Sequence, residues 1–343
     1  MQALIFADGK LGVGLGHLSR CRALQAELES LGFRTSLLDS ALLNAQTLNT
    51  NKLPQASPLN PHTFLNPALK PLTKSDSAKP YQLLAIDSYV LSLDSYLLAT
   101  QYAEVCLFFD DTLRLDYPKA ILLNNAPGVN VVQYKEKYPH HLLFLGSDYR
   151  LLQTPFLEAL KKPPIPLRQE VKEVLITLGG SDILGLNQPL IAAFQKTYPH
   201  LNLHCITKDS TILGAKLYRD LCAQEMVDLI RQMDLCICAC GQSLGEILAC
   251  GIPAIALEVA ENQKANLESF KTCTLSIPEA YLAACDSICK KVLEKMESYQ
   301  DLNLRQSHQK CALALLNHPA LWKNALLEVF EKNKQNQLKR VFN

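Results

Sequence analysis

The stretch at residues 2–20, QALIFADGKLGVGLGHLSR, decides the fold. Its first part, from Gln2 to Ala7, is a short apolar run that predicts a buried strand. A glycine-rich turn follows, and from Leu18 to Leu31 apolar residues recur at helical spacing. Gly32, a residue type common at helix C-caps, comes next. Strand, glycine-rich turn and helix in this order predict the opening of a Rossmann-like α/β domain.

The glycines of this turn are concentrated in a chain that has few of them. There are 14 glycines among 343 residues, and four of them fall within residues 9–16. Such clustering indicates bare backbone that a ligand can approach closely. The dinucleotide fingerprint GxGxxG would need a third glycine where the chain has His17 or Ser19. A nicotinamide or flavin enzyme is therefore disfavoured.

Polar residues follow each strand-like run in the rest of the first half. The runs and their polar ends are 83–86 with Asp87-Ser88-Tyr89, 104–109 with Asp110-Asp111, 121–123 with Asn124-Asn125, and 142–145 with Gly146-Ser147-Asp148-Tyr149. Ligands of open parallel sheets bind beyond the carboxyl ends of the strands, so we expect a site at these tips. Residues 49–80, with six of the 18 prolines, are predicted to be an irregular insertion.

The pattern restarts after a proline-rich break near residues 163–167, which is typical of a linker. Further strand-like runs are predicted at 171–178, 201–206, 235–239 and 254–257, and helices from Ala280 onward. We therefore predict an α/β protein of two facing Rossmann-like domains with parallel sheets and a cleft between them. The predicted segments are an N-terminal domain at 1–162, a linker at 163–167, a nucleotide-binding domain at 168–318 and a basic helical tail at 319–343.

Composition excludes several classes of protein. Hydrophobic residues make up 48% of the chain and charged residues 20%, a globular profile rather than a disordered one. The net charge of +1 is too small to attract the whole protein to nucleic acid or to an acidic membrane. No signal peptide or membrane-spanning run is predicted, so we expect a cytoplasmic protein. Protein partners are not predicted from these features.

The cysteines are predicted to be reduced and structural. Ten of the 12 lie between Cys205 and Cys311, mostly inside apolar runs. Cys236, Cys238 and Cys240 alternate along one predicted strand, which places their thiols on one face, and buried thiols behave as small hydrophobes. No CxxC pair or neighbouring histidine completes a metal-ligand set. No metal site is predicted.

His17 is the first candidate for chemistry, because it stands in the first turn of a predicted helix directly after the glycines. A helix N-terminus disfavours the imidazolium form, so a neutral ring there is able to accept a proton. The alternative is a histidine that only caps the helix or contacts a loop. Arg20, one turn later, either binds an anion or forms a salt bridge with Glu27 or a strand-tip aspartate.

A second cluster, Gly241-Gln242-Ser243-Leu244-Gly245-Glu246, follows the predicted strand 235–239. Ser243 and Glu246 have the S-x-x-E spacing of a capping box, a purely structural device. Alternatively, free N–H groups at this helix start hold a diphosphate while Glu246 accepts hydrogen bonds from a ribose. The run Gly179-Gly180-Ser181-Asp182 adds a second loop of bare backbone in the same domain, which favours the nucleotide interpretation.

Together these motifs resemble one family over about residues 1–275. The matching positions are Asp8, Gly14-x-Gly16-His17-x-x-Arg20, Asp87-Ser88-Tyr89, Asp110-Asp111, Leu145-Gly146-x-x-Tyr149-x-Leu151-Leu152, Gly179-Gly180-Ser181-Asp182 and Glu246…Gly251-x-Pro253…Asn262-Gln263. The sequence resembles the hydrolases of pseudaminic acid biosynthesis that release UDP from UDP-2,4-diacetamido-2,4,6-trideoxy-β-L-altropyranose. That family is similar in fold to the lipid II-forming N-acetylglucosaminyltransferase, which implies the GT-B fold with an active site between two domains.

The resemblance also implies roles for individual residues in an enzyme that needs no metal or other cofactor. His17 matches the base that activates a water for attack on the anomeric carbon, with inversion and C–O cleavage. Glu246 matches the acid that binds the ribose. The other implied positions are Asp8, Gly16, Arg20, Tyr89 and Asn262 for the sugar, and Gly180, Ser181, Gln242, Ser243 and Gln263 for the nucleotide. The implied pathway supplies pseudaminic acid for flagellin glycosylation.

The chain departs from the family pattern at three places. Phe6 and Gln153 stand where the family has arginine, and Cys240-Gly241-Gln242 replaces its Gly-Gly-Ser turn. Two alternatives to hydrolysis therefore stay open. One is a GT-B glycosyltransferase that passes the sugar from a UDP-sugar to a hydroxyl acceptor. The other is a non-catalytic protein that binds nucleotide sugars.

Overall fold

The structure, a computed structural model, describes residues 1–8, 16–39, 79–179, 182–317 and 321–341. The described residues divide into two compact units. The first contains residues 1–8, 21–39, 79–151 and 321–341, and the second contains residues 16–20, 152–179 and 182–317. The proline-rich segment predicted at 49–80 lies outside the described residues, apart from Lys79 and Pro80.

The first unit alternates strands and helices around one sheet. Its elements, with α1 beginning in the second unit, are β1 (Gln2–Ala7), α1 (Gly16–Ser30), β2 (Arg34–Asp39), β3 (Tyr81–Asp87), α2 (Leu93–Tyr102), β4 (Ala103–Phe109), β5 (Ile121–Asn124), α3 (Val131–Lys137), β6 (Leu142–Leu145) and α11 (Trp322–Val341). Gly32 ends α1 with a φ of 83°, as predicted from its position after the helical pattern.

All six strands of this sheet are parallel, in the order β2-β1-β3-β4-β5-β6. The chain passes from β1 outward to β2 and then to the other side of β1 at β3, so the strand order reverses between β1 and β3. Ligands of doubly wound sheets bind at such a reversal, beyond the carboxyl ends of the strands. Asp8 and Asp87 stand at these two ends, and both are almost fully buried.

The second unit repeats this arrangement. Its elements are α4 (Thr154–Lys161), β7 (Glu173–Thr177), α5 (Asn187–Thr197), β8 (Asn202–Ile206), β9 (Lys216–Tyr218), α6 (Ala223–Ile230), β10 (Leu235–Ala239), α7 (Gln242–Ala249), β11 (Ala254–Leu257), α8 (Lys264–Phe270), β12 (Leu275–Ile277), α9 (Cys285–Ser298) and α10 (Leu302–Leu316). The parallel sheet has the order β12-β11-β10-β7-β8-β9, so its strand order reverses between β7 and β10.

The two faces of the second sheet carry separate apolar cores, and β10 contributes to both. Cys236, Cys238 and Cys240 pack into one core, whereas Leu235 and Ile237 pack into the other. The predicted placement of the three thiols on one face is confirmed. Burial raises the pKa of the Cys238 thiol to about 12, so it behaves as a small apolar group.

The predicted α/β class with parallel sheets is confirmed, and four strands have the predicted bounds: β1, β6, β10 and β11. Two three-residue strands, β9 and β12, have no counterpart among the predictions, because so short a run shows no alternation of its own. Residues 163–167 run between α4 and β7 without helix or strand. None of the helices in the described part of the chain is long and apolar enough to span a membrane.

Candidate functional site

Two loops meet the requirement for a ligand site at the reversal of the second sheet, namely those after β7 and β10. The first begins at Gly179, whose φ of 88° favours glycine. Asp182 lies in it, and its carboxylate accepts hydrogen bonds from the backbone N–H groups of Leu186 and Asn187 at 2.9 and 2.8 Å. Asp182 therefore fixes the start of α5. Gly180 and Ser181, both predicted to bind nucleotide, lie outside the described residues.

The second loop contradicts the predicted capping box. Helix α7 begins at Gln242, and its N-cap is Gly241, which has no side chain to offer. Ser243 is thus the second residue of the helix and does not occupy the N-cap position that a capping box requires. The capping box is wrong because the helix starts two residues earlier than that pattern assumed. Gly241 at the N-cap makes no side-chain hydrogen bond to the first turn of α7.

Glu246 lies one turn into α7 and is only 6% exposed. Its Oε1 atom accepts a hydrogen bond of 2.7 Å from the hydroxyl of Ser19 in α1. Gln153, just before α4, donates from Nε2 to the same Ser19 oxygen at 3.0 Å. Burial raises the pKa of the Glu246 carboxyl to about 6, and the Ser19 hydrogen bond opposes that rise. The side chain is therefore a buried acceptor held by a short polar chain.

The first residues of α1 and α7 lie beside each other. A Cβ atom built on Gly16, where α1 begins, would stand 3.7 Å from the Cβ of Gln242, where α7 begins. Each helix N-terminus carries partial positive charge, so the two together attract an anion. The structure thus brings Gly16 together with the turn predicted to hold a diphosphate.

His17 and Arg20 are both buried in the first turn of α1, at 7% and 8% exposure. Nη2 of Arg20 lies 3.4 Å from Nδ1 of His17. A guanidinium can only donate, so Nδ1 is the acceptor in this contact and its lone pair is directed at Arg20. The predicted placement of His17 at a helix start is confirmed. Of the two salt-bridge partners considered for Arg20, Glu27 is paired with Lys323.

Gln263 and its neighbours border the turn between β10 and α7. A Cβ on Gly241 would stand 3.8 Å from Nε2 of Gln263, whose Oε1 accepts a hydrogen bond from the Val259 backbone at 3.0 Å. Asn262, beside it, is exposed. Asn266 donates to the Cys240 carbonyl at 3.1 Å and so fixes the same turn, a role for which the sequence carried no signal.

The sugar-binding residues predicted in the first unit form their own network. The buried carboxylate of Asp8 accepts a hydrogen bond of 2.7 Å from the backbone N–H of Tyr89, which joins the two strand ends at the reversal of the first sheet. The hydroxyl of Tyr89 donates to Asp111. Asp110 instead anchors its own loop, because its Oδ1 accepts from the backbone N–H of Arg114. Burial raises the pKa of Asp110.

Of the described residues predicted for the site, the second unit contains Gly16, His17, Arg20, Gln242, Ser243, Glu246, Asn262 and Gln263, and the first unit contains Asp8 and Tyr89. No signal in the sequence indicated that Ser19 would donate a hydrogen bond to Glu246 or that Gln153 would donate one to Ser19. Ser19 and Glu246 are 227 positions apart, so no local spacing could have paired them. In the described part of the chain, no group of three or more His, Cys, Asp and Glu side chains is arranged to hold a metal ion.

Comparison with known proteins gives two informative relatives. The chain is 26% identical over 280 residues to the Helicobacter pylori protein named pseudaminic acid cytidylyltransferase and UDP-2,4-diacetamido-2,4,6-trideoxy-beta-L-altropyranose hydrolase. The match covers 79% of this chain and 47% of that protein, so the chain spans about half the length of this relative. The spore coat polysaccharide biosynthesis protein SpsG of Bacillus subtilis is 24% identical, over 79% of this chain and 81% of that one. No protein-family model matches the chain.

Solved structures decide the fold. Spinosyn rhamnosyltransferase SpnG, complexed with thymidine diphosphate, superposes with a TM-score of 0.60 at 14% identity, covering 96% of this chain and all (100%) of that one. MurG of Acinetobacter baumannii gives 0.54 at 13% identity, covering 97% of this chain and 100% of that one. The fold is GT-B. The resemblance that the motifs predicted, to the pseudaminic acid hydrolases and to GT-B proteins including MurG, is confirmed by these matches.

Proposed function

We propose that this protein hydrolyses a UDP-linked 2,4-diacetamido-2,4,6-trideoxy sugar to UDP and the free sugar. The observation that carries the proposal is the meeting of the α1 and α7 N-termini beside a buried carboxylate, Glu246. This is the arrangement that a nucleoside diphosphate needs, since the phosphates require N–H donors and the ribose hydroxyls require an acceptor. The name of the Helicobacter pylori relative supplies the sugar and the reaction.

The nucleotide half of the site is assigned to α7 and its surroundings. Gln242 and Ser243 open the helix, so their backbone N–H groups are assigned to the diphosphate. Gly180 and Ser181 are assigned to the nucleotide from the sequence resemblance alone. Glu246 accepts the ribose hydroxyls, and Gln263 lies against the turn that holds the phosphates. Negative charge that develops on the departing UDP is stabilised by these fixed donors.

His17 is assigned the role of general base. Its Nδ1 lone pair accepts a hydrogen bond from Arg20 in this structure. When Arg20 turns to the anionic groups of the substrate, Nδ1 is released and accepts a proton from water. The water oxygen bonds to the anomeric carbon while the bond from that carbon to the phosphate oxygen breaks. Its electron pair leaves with UDP, and the configuration inverts. Arg20, Asn262, Asp8 and Tyr89 are assigned to the sugar and the anionic groups attached to it.

A second candidate, transfer of the sugar to a hydroxyl acceptor, is favoured by one observation. The solved structures with this fold include glycosyltransferases such as the spinosyn rhamnosyltransferase. The same general base and the same nucleotide site would serve both reactions, because only the attacking hydroxyl differs. The two functions therefore differ in whether an acceptor other than water is required.

Product analysis with a panel of UDP-2,4-diacetamido sugars tests the proposal. The protein is incubated with each nucleotide sugar alone, with and without EDTA, and the products are separated by chromatography and identified by NMR. Hydrolysis predicts UDP and free sugar in equal amounts from at least one stereoisomer, with no loss in EDTA. A product that forms only after an acceptor is added supports the glycosyltransferase. Saturable binding of UDP with no product under either condition supports a non-catalytic binding protein.

A further inference from the structure

The hydroxyl of Ser19 is hydrogen-bonded to one oxygen, Oε1, of the carboxylate that a ribose would need. Glu246 is buried, and its Oε1 accepts a hydrogen bond of 2.7 Å from Ser19. The donor is itself held in place, because Gln153 donates to the Ser19 oxygen at 3.0 Å. A hydroxyl that donates to a buried carboxylate has the same chemistry as a ribose hydroxyl that donates to it.

We propose that Ser19, oriented by Gln153, is an internal competitor of the nucleotide: its hydroxyl holds Glu246 until a ribose hydroxyl replaces it. The inference rests on the proposed function, which assigns the ribose to Glu246. Neither Ser19 nor Gln153 has a role in that assignment. Both become determinants of nucleotide affinity, because the hydrogen bond between Ser19 and Glu246 is broken whenever a nucleotide with ribose hydroxyls binds.

The exchange acts on the element that carries the base. Ser19 lies in the first turns of α1, two residues after His17, and its hydrogen bond to Glu246 ties this part of α1 to α7. Nucleotide binding releases that tie at the same moment as phosphates reach the two helix N-termini. The ribose and the position of His17 are thus coupled through one hydroxyl.

The test measures the dissociation constants of UDP and of 2′,3′-dideoxy-UDP by calorimetry, for the full chain and for Ser19→Ala. Loss of a hydrogen bond to a carboxylate corresponds to about a tenfold change in affinity, so S19A is expected to bind UDP about tenfold more tightly. The dideoxy nucleotide has no ribose hydroxyl to exchange, so its affinity is expected to be the same in both proteins. Ser30→Ala is the control, since Ser30 lies on the same helix and donates only to the Glu27 carbonyl.

A second variant, Gln153→Ala, removes the residue that orients Ser19 and is expected to tighten UDP binding in the same direction but by less. If S19A does not fold, the affinity of Q153A for UDP still tests the inference. Unchanged or weaker UDP binding in both variants overturns the inference and leaves the proposed function standing. An equal increase in the affinity of S19A for UDP and for 2′,3′-dideoxy-UDP also overturns the inference. Absence of UDP binding by the unaltered protein contradicts the nucleotide site of the proposed function, and the inference falls with it.

Discussion

A single buried carboxylate, that of Glu246, links the stability of the second unit to pH. Its pKa of about 6 in the folded chain lies above the value of 4.5 for an exposed glutamate, so the folded state binds a proton more tightly than the unfolded state. The contribution of Glu246 to stability is therefore fully present below pH 4.5 and is lost as pH rises through about 6. A difference of this size corresponds to about 2 kcal/mol.

The variant Glu246→Gln removes this titration. We expect the unfolding free energy of the unaltered protein, measured relative to that of E246Q by urea denaturation, to fall by about 2 kcal/mol between pH 4 and pH 7. Glu268→Gln is the control: Glu268 is exposed and its hydrogen bond with Lys271 lowers its pKa, so its contribution has the opposite sign. If the unfolding free energies of the unaltered protein and of E246Q changed equally between pH 4 and pH 7, the result would contradict the assigned environment of Glu246.

The cysteines give a second prediction at this scale. Nine of the 12 are buried, whereas Cys222 is exposed. Burial raises the pKa of Cys106 and of Cys238 to about 12, so the reactive thiolate is scarce at these positions. We expect a thiol-reactive maleimide to label Cys222 rapidly in the native protein and the buried thiols only after denaturation, as read by peptide mass spectrometry. Rapid native labelling of Cys238 would show that the β10 strand is not packed as described.

At the scale of elements, the start of α5 depends on one residue in an unusual conformation. Asp182 has a φ of 38° and accepts hydrogen bonds from the backbone N–H groups of Leu186 and Asn187. Asp182→Ala loses both acceptors and places an alanine in the left-handed region, so we expect a loss of about 2 kcal/mol in unfolding free energy.

Two further variants separate these causes. Asp182→Gly tolerates the positive φ but cannot accept the hydrogen bonds, so it is expected to be less destabilised than D182A. Asp182→Asn keeps one acceptor oxygen and a residue type that adopts this conformation, so it is expected to lose least. The unfolding free energies of D182A, D182G and D182N are compared by urea denaturation. A D182N variant as unstable as D182A would contradict the role of Asp182 in starting α5.

The elements also show what sequence could and could not predict. Strands such as β10 and β11 had the predicted bounds because each is a continuous apolar run, which begins after Asp234 or Pro253 and is closed by Gly241 or Glu258. The capping box at Ser243 failed because spacing alone does not fix where a helix begins: Gly241 takes the N-cap position in α7. His17 was found because glycines and a helix start are local signals. The contact of Ser19 with Glu246 was not, because it depends on tertiary packing.

At the scale of the molecule, the chain returns to its first unit at the end. Helix α11 belongs to that unit, and Phe330 stacks at an angle on Phe33, with ring centroids 5.5 Å apart. Leu321, just before α11, donates from its backbone N–H to the Asp148 carbonyl at 2.7 Å. The segment predicted as a basic tail is therefore a packed helix over the part that includes Leu326 and Phe330, which are both buried.

The variant Phe330→Ala tests this packing. Removal of a buried aromatic side chain costs about 3 kcal/mol or more, so F330A is expected to lower the free energy of unfolding by that amount. Leu327→Ala, on the same helix, is the matched control, because Leu327 is 38% exposed and its removal leaves the core intact. We expect less than about 1 kcal/mol for L327A. If F330A and L327A lowered the free energy of unfolding by equally small amounts, measured by thermal and urea unfolding, the result would contradict the docking of α11 on the first unit.

The account as a whole depends on His17 as the base that acts on water. The most direct test compares turnover of the UDP-diacetamido sugar and the dissociation constant of UDP in His17→Ala, with His200→Gln as the control at an exposed histidine of the second unit. A general base contributes at least about a hundredfold to the rate, so H17A is expected to lose turnover by that factor or more and to keep its affinity for UDP. Turnover near that of the unaltered protein in H17A would contradict the account.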